Sequence, residues 1–142
     1  MAVKKPLCLY NGEIQQLQSG DTISISDVTL LEKITFDGMG SVCLVNSSGY
    51  FRARAAGTIT GWSIVAAGTN PTCTFDIYKI ATGTTLPTSS ITASAQPALS
   101  TGNAIYSTSM AGWTLTFAIN DIFEVKLTAC TAATWIDFEI YT

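Results

Sequence analysis

The sequence predicts an all-β fold, an antiparallel β-sandwich preceded by an extended N-terminal arm. Apolar and polar residues alternate in many short segments, which is the pattern of strands with one buried side. Clusters of Gly, Asn, Ser, Thr and Pro separate these segments at short intervals, as in sandwiches and barrels. No segment shows the 3.6-residue apolar period of a helix over three turns. We expect residues 1–45 to form the arm with its short strands, and residues 46–142 to form the sandwich.

Short strand-like segments separated by turns make up the first 45 residues. Residues 6–10 and 13–18 form short segments, and the predicted strands are residues 22–26, 29–36 and 41–45. Ser19-Gly20-Asp21 supplies a turn, and the cluster Asn46-Ser47-Ser48-Gly49 indicates the boundary with the body.

Two strand-like segments, residues 58–67 and 73–80, open the body, and residues 68–71 (Gly-Thr-Asn-Pro) predict a turn between them. Residues 81–103 are rich in Ser and Thr and contain three turn-forming clusters. We therefore expect a long excursion with one short strand near residues 91–94. A loop of this length is usually functional or covered by a neighbour.

Three alternating segments end the chain and predict a C-terminal meander. They are residues 113–119, 122–130 and 134–141. Asn120-Asp121 supplies the first turn, and the short connection 131–133 predicts an antiparallel hairpin between the last two segments. In the final segment Ile136, Phe138 and Ile140 share one side, and polar residues occupy the other.

Charged residues are scarce, at 12% of the 142 residues, whereas hydrophobic residues make up 47% and the mean hydropathy is +0.33. No apolar run approaches the ~20 residues of a membrane-spanning helix. The Thr-rich, uncharged composition suggests a surface largely covered by neighbours rather than by water. We expect the few cations, notably Lys4, Lys5, Arg52 and Arg54, to lie near the arm and its junction with the body.

The composition excludes several kinds of chemistry. The chain has no His, so His-based general bases, nucleophile pairs and metal sites are excluded. A net charge of −3 argues against a nucleic-acid partner. We expect no membrane partner and no cofactor. Since Lys4 and Lys5 are followed by Pro6 rather than by a signal peptide, we expect synthesis in a cytoplasm.

The four cysteines, Cys8, Cys43, Cys73 and Cys130, are far apart, and no C-x-x-C occurs. A four-thiolate zinc site would need clustered pairs. We expect free thiols that act as small apolar residues.

A pair of carboxylates offers the one candidate for catalysis. Asp137 and Glu139 share a side of the last predicted strand, about 6.5–7 Å apart, and Glu124 could lie on the matching side of its neighbour. Glycosidases use such pairs. The alternative is a solvated or interface-facing side with Lys126 as a partner, and nothing in the sequence argues that the carboxylates are buried. We expect a protein that is not an enzyme.

Exposed Trp and Tyr side chains can stack on sugar rings or anchor a protein interface. Trp135, Tyr141 and Tyr78 fall on polar sides of their strands and are candidate interface or ligand residues. Trp113 falls on an apolar side and is expected in the core. Asp76 is expected to accept structural hydrogen bonds.

Two stretches resemble virion proteins of tailed phages. Residues 5–23 (KPLCLYNGEIQQLQSGDTI) are similar to leader segments of phage tail and head appendage proteins. In the body, the order GTITGWSI (57–64), FDIYK (75–79), GWT (112–114) and NDIFEV (120–125) resembles a β-sandwich module. That module is found in phage capsid decoration proteins, tail spikes and receptor-binding tips.

The resemblance implies a jelly-roll-like sandwich that forms homotrimers, which agrees with the uncharged composition. Two functions follow from it. One is a capsid decoration or cement protein on the capsid exterior, which stabilises a shell of major capsid protein. The other is a tail-fibre or tail-tip head that binds a cell-surface glycan.

The sequence has no coiled-coil heptads or long repeat to hold a tip away from a particle, which favours the decoration protein slightly. In that function the arm would dock on the shell through its apolar residues, the candidates being Leu7, Leu9, Ile14 and Leu17.

Overall fold

The computed structural model describes residues 7–10, 13–16 and 32–142, which contain ten β-strands and no helix. The strands are β1 (Leu7–Tyr10), β2 (Glu13–Gln16), β3 (Glu32–Asp37), β4 (Ser48–Arg52), β5 (Gly57–Thr58), β6 (Gly61–Ile80), β7 (Ala98–Leu99), β8 (Ala104–Ser107), β9 (Thr116–Phe117) and β10 (Ile122–Tyr141). Their pairings are antiparallel. The predicted all-β, antiparallel class is confirmed.

Two strands of 20 residues, β6 and β10, form the centre of the molecule and pair along their whole length. The other edge of β10 pairs with β3 and β4, and the other edge of β6 pairs with β7 and β8. The short strands β5 and β9 form a separate sheet, and β1 and β2 form a hairpin.

The long β6–β10 ribbon folds over on itself and makes two layers. Phe138 pairs with Ile64, and Phe75 lies eleven positions further along β6 than Ile64. A straight strand would separate those two positions by about 36 Å. The rings of Phe75 and Phe138 nevertheless lie 4.8 Å apart. The first layer contains β8, β6 residues 61–67, β10 residues 135–141 and β3, and the second contains β7, β6 residues 72–80, β10 residues 122–130 and β4.

Irregular backbone in both strands makes the corner between the layers. Gly68 has φ 144° and Ala132 has φ 58°, and the register shifts three times between Leu127 and Trp135. A Cβ at position 68 would collide with the carbonyl oxygen of Ala132, so only glycine fits there. Bulges of this kind bend and twist a strand pair.

The predictions that the chain reverses direction at residues 68–71 and at residues 131–133 are both wrong. Residues 68–71 and 131–133 lie inside continuous strands, so residues 122–130 and 134–141 are successive halves of β10 rather than a hairpin. The predicted meander is also wrong, because β9 pairs with β5 and not with β10. Gly and Asn residues with positive φ occur in β-bulges as well as in turns. Whether such a residue forms a bulge or a turn depends on which strand its segment pairs with.

The hydrophobic core lies between the two layers. Phe75 packs against Phe36 and Phe138, with ring centroids 5.3 and 4.8 Å away. Trp113 is buried, as predicted, and its Nε1 donates to the Ala95 carbonyl. Alternate residues of each layer face this core, so their polar neighbours face outward.

The expected division at residues 45 and 46 falls between β3 and β4, both of which pair with β10. Phe36 and Cys43 belong to the core of the body. The predicted strand at 41–45 is wrong, because this segment forms a loop held by single backbone hydrogen bonds. The predicted strand at 22–26 lies outside the described residues.

The excursion after β6 packs against the body. Ser90 forms a bridge with Tyr78, and the Ile91 amide donates to the Ile77 carbonyl at 2.8 Å. No strand forms at residues 91–94, where one was predicted, because the chain leaves the sheet edge to bury Ile91 and Thr92.

Candidate functional site

The outer side of the first layer carries aromatic and acidic side chains of β8 and β10, and polar side chains of β3 and β6 lie beside them. The β10 row contributes alternate residues that face away from the core, and its neighbours in β3, β6 and β8 are aligned beside them. We call this surface the open face and define it by Lys33, Thr35, Ser63, Tyr106, Trp135, Asp137, Glu139 and Tyr141.

A hydrogen-bonded group occupies one end of the open face. The Tyr141 hydroxyl donates to Glu139 Oε2 at 2.7 Å, and Ser63 Oγ donates to the same oxygen at 3.2 Å. The Tyr106 ring meets Tyr141 edge-on, with centroids 5.5 Å apart, and Tyr106 is 63% exposed. A largely free aromatic ring therefore lies beside a carboxylate that its neighbours hold in place.

The pKa of Tyr141 is raised above its ordinary value. Its hydrogen bond with Ser63 lowers the pKa, but the hydrogen bond to Glu139, burial and the Glu139 charge together outweigh that effect. The phenol therefore keeps its proton at neutral pH and remains a donor to Glu139.

The second carboxylate of the open face has different partners. Asp137 forms an ion pair with Lys33 and accepts a hydrogen bond of 2.6 Å from Thr35 Oγ1. Lys33 Nζ also lies 5.8 Å from the centre of the Trp135 ring. The hydrogen bond to Asp137 raises the pKa of Lys33, against a smaller opposing effect of burial. Each carboxylate is thus held by its own partners, and Asp137 is buried beneath them at 6% exposure.

The open face unites two of the three predicted aromatic residues. Trp135 and Tyr141 lie on it, whereas Tyr78 lies on the outer side of the second layer opposite Glu124. The expectation that Glu124 lies beside Asp137 and Glu139 is wrong, because the predicted hairpin does not form. Tyr106 was missed, since only the pairing of β8 with β6 brings it to Ser63. The alternation in residues 104–107 was the available signal.

Asp76 holds the excursion against the second layer. Its Oδ1 accepts hydrogen bonds from Ser90 Oγ and Thr92 Oγ1, both at 2.6 Å, and from the Ile77 amide at 2.8 Å. Burial acts to raise the pKa of Asp76, but these hydrogen bonds and one from Tyr78 lower it overall. Asp76 has the structural role that was predicted for it.

A second surface was not predicted from the sequence. The apolar loop, which we define as residues 38–47, contains no charged residue and exposes Met39 (91%), Leu44 (77%), Val42 and Val45. The loop borders a groove of about 350 Å³ beside β3 and the start of β4. The alternation in residues 41–45 predicted a strand with one buried side, so the exposure of its apolar residues was not expected.

Backbone hydrogen bonds hold the apolar loop against β10. The amides of Gly38, Cys43 and Asn46 donate to carbonyl groups of β10 at 2.9, 2.7 and 2.8 Å. The exposure of its side chains is therefore a property of a fixed backbone. Large exposed apolar patches usually mark interaction sites.

The predicted arm residues fall on the β1–β2 hairpin. Leu9 pairs with Ile14, and Leu7 pairs with Gln16, so Leu7, Leu9 and Ile14 occupy positions on the same side of the hairpin. Leu17 lies outside the described residues.

Three of the four cysteines meet at the corner between the layers. Cys73 and Cys130 are register partners, and burial, with a smaller effect of the nearby Cys130, raises the pKa of Cys43 in the apolar loop. All three are free thiols, as predicted.

Within the described residues, no cluster of three acidic, His or Cys side chains could hold a metal ion. The same part of the chain has no helix that could cross a membrane. Comparisons with known proteins find no matching family model, no similar curated protein and no similar solved structure.

Proposed function

We propose that the protein is a structural protein of a phage virion, a capsid decoration or cement protein that forms homotrimers on the capsid exterior. The observation that carries this proposal is the apolar loop, which is uncharged, fixed in place and exposed. Exposure of such a patch to water is unfavourable. Because its backbone is already ordered, little entropy is lost when a partner covers it.

In this proposal the apolar loop mediates contact between copies of the chain. Its lack of charge allows the patches of three copies to meet at the threefold axis of a trimer without like-charge repulsion. Complete burial of a side chain such as Leu44 or Met39 contributes about 1.5–3 kcal/mol.

The hairpin would attach the trimer to the major capsid protein. Its apolar side, with Leu7, Leu9 and Ile14, would dock there, and the gain would be multiplied over many copies.

The oligomeric state tests the loop contact. We expect the full chain to be a trimer by light scattering at micromolar concentration and the double variant Met39→Ser, Leu44→Ser to be monomeric. Leu86→Ser is the matched control, because Leu86 is 59% exposed and lies outside the apolar loop. A wild-type monomer both in solution and in assembled particles would contradict the proposal.

Particle binding tests the hairpin. The double variant Leu9→Ser, Ile14→Ser changes a register pair on the apolar side, and Gln15→Ser changes the opposite side as a control. We expect the double variant to lose binding to virions of the source phage and to remain trimeric. Quantitative mass spectrometry should find hundreds of copies per virion. Retained binding would refute docking through the hairpin.

A tail-fibre or tail-tip head that binds a cell-surface glycan is the second candidate. The open face favours it, because the exposed Tyr106 ring lies beside Tyr141 and Glu139. Aromatic rings stack on sugars, and a carboxylate accepts hydrogen bonds from sugar hydroxyls.

A glycan array and a titration with any oligosaccharide that binds test this candidate. Tyr106→Ala should abolish binding, and Tyr50→Ala, an exposed Tyr outside the open face, should leave it unchanged. A head would be present in a few dozen copies per virion rather than hundreds. Absence of binding to the whole array would leave the decoration function as the surviving candidate.

A further inference from the structure

Two thiols of the corner are directly opposite each other in the sheet. Cys73 of β6 and Cys130 of β10 are register partners. Directly opposite residues in an antiparallel pair have Cα atoms about 4.5–5.5 Å apart and side chains on the same side. A disulfide forms at Cα separations of about 4.4–6.8 Å. The usual spacing of register partners therefore falls within the Cα range of a disulfide.

The third thiol of the corner, that of Cys43, has a hydrogen-bond partner of its own. Cys43 Sγ donates to the Phe36 carbonyl at 3.5 Å, which directs it toward β3. Cys130 Sγ donates to the Ala133 carbonyl at 3.7 Å and its side chain is partly exposed, whereas Cys43 and Cys73 are buried. Cys130 is thus the corner thiol that an oxidant in solution can reach, and Cys73 is the thiol that the register places opposite it.

We propose that Cys73 and Cys130 close into a disulfide when the protein meets a small-molecule disulfide such as oxidised glutathione, and that this bond locks the corner between the two layers. The pairing does not depend on the proposed function. It would give the sandwich a covalent link at the bulged part of the ribbon, where the ladder of β6 and β10 is irregular.

The reaction takes place in two exchanges. The Cys130 thiolate attacks one sulfur of oxidised glutathione, forms a mixed disulfide and releases one glutathione thiolate. Cys73 then loses its proton and attacks Cys130 Sγ, and the second glutathione leaves. The two protein thiols lose two electrons and two protons, one oxidised glutathione gains them, and two molecules of reduced glutathione result.

Burial makes this reaction slow at neutral pH. It raises the pKa of Cys73 to about 12 and raises the pKa of Cys130 above its usual value. Only the thiolate attacks a disulfide, so the rate should rise about tenfold from pH 7 to pH 8. The thiols would persist in a reducing cytoplasm and close only after prolonged contact with an oxidising medium.

Peptide mapping tests the pairing. The reduced full chain is incubated with oxidised glutathione, the remaining thiols are alkylated, and the digest is analysed by mass spectrometry. We expect a disulfide-linked pair of peptides that contain Cys73 and Cys130. The Cys43→Ala variant should give the same linked pair in the same yield. In Cys73→Ala, Cys130 should stop at the mixed disulfide with glutathione.

The bond should also raise the melting temperature by about 5–10 °C relative to the reduced protein. A Cys43–Cys130 link in the wild type would overturn the proposal. So would a wild-type Cys130 that remains as the glutathione adduct, or a Cys73–Cys130 link that forms only in denaturant.

Discussion

The open face and the outer side of the second layer repeat one local motif with opposite results. Glu139 and Tyr141 stand two residues apart on an outward row of β10, and Asp76 and Tyr78 do the same on β6. Glu139 shares its Oε2 with Tyr141 and Ser63 beside the exposed Tyr106. Asp76 is only 7% exposed, because residues 90–92 cross the sheet edge beside it. The segment that packs beside the motif, and not the motif itself, decides whether its acidic residue is structural or accessible to a ligand.

The largest effect should come from the corner that separates the two layers. Gly68→Ala places a Cβ against the Ala132 carbonyl at a positive φ, and we expect a loss of about 2–4 kcal/mol in the free energy of unfolding. Urea denaturation measures it. Gly83→Ala is the control, since its Cβ would meet only Ala81 O at 3.7 Å. Equal stability of both variants would mean that the corner is not strained by a side chain.

A smaller loss should follow from removal of the acid in the second layer. Asp76→Ala leaves the buried Thr92 hydroxyl and the Ser90 hydroxyl without their acceptor, so we expect a loss of about 2–3 kcal/mol. Proteolysis should cut residues 81–97 faster in this variant. If the excursion stays as resistant as in the wild type, Asp76 does not hold it.

The hydrogen bonds to Asp76 also predict that the stability of the protein depends on pH. The pKa of Asp76 is lower in the folded protein than in the unfolded chain. Its stabilising contribution is therefore fully present above the ordinary carboxyl value of 3.8 and is lost as the pH falls through the folded pKa. Urea midpoints measured from pH 5 down to pH 2.5 should decline less steeply for Asp76→Asn than for the wild type. Parallel declines would assign the acid sensitivity to other carboxylates.

The smallest effect is expected on the open face. Glu139→Gln keeps an acceptor for Tyr141 and Ser63 at a half-exposed position, so the free energy of unfolding should change by no more than about 0.5 kcal/mol. A loss of unfolding free energy as large as that of Asp76→Ala would show that Glu139 is as structural as Asp76. The open face and the second layer would then not differ in this respect.

Part of this organisation could be read from local patterns. The alternation in residues 134–141 places Ile136, Phe138 and Ile140 inward and Trp135 and Tyr141 outward, as the structure has them. Period-2 alternation depends on the strand itself, so it needs no knowledge of the partner. The corner was not predictable in this way, because Gly68 and Ala132 become a bulge only when β6 and β10 pair through them.

The sequence by itself determined the all-β class, the sides of the strands and the low charge of the surface, since residue type and spacing decide these locally. Tertiary structure alone decided which outward residues meet. It brought Tyr106 to Tyr141, moved Glu124 away from Glu139, exposed the apolar loop and set Cys73 opposite Cys130. Each of these results depends on how a 20-residue ribbon folds over, and that fold is fixed by packing across the core between residues far apart in the chain.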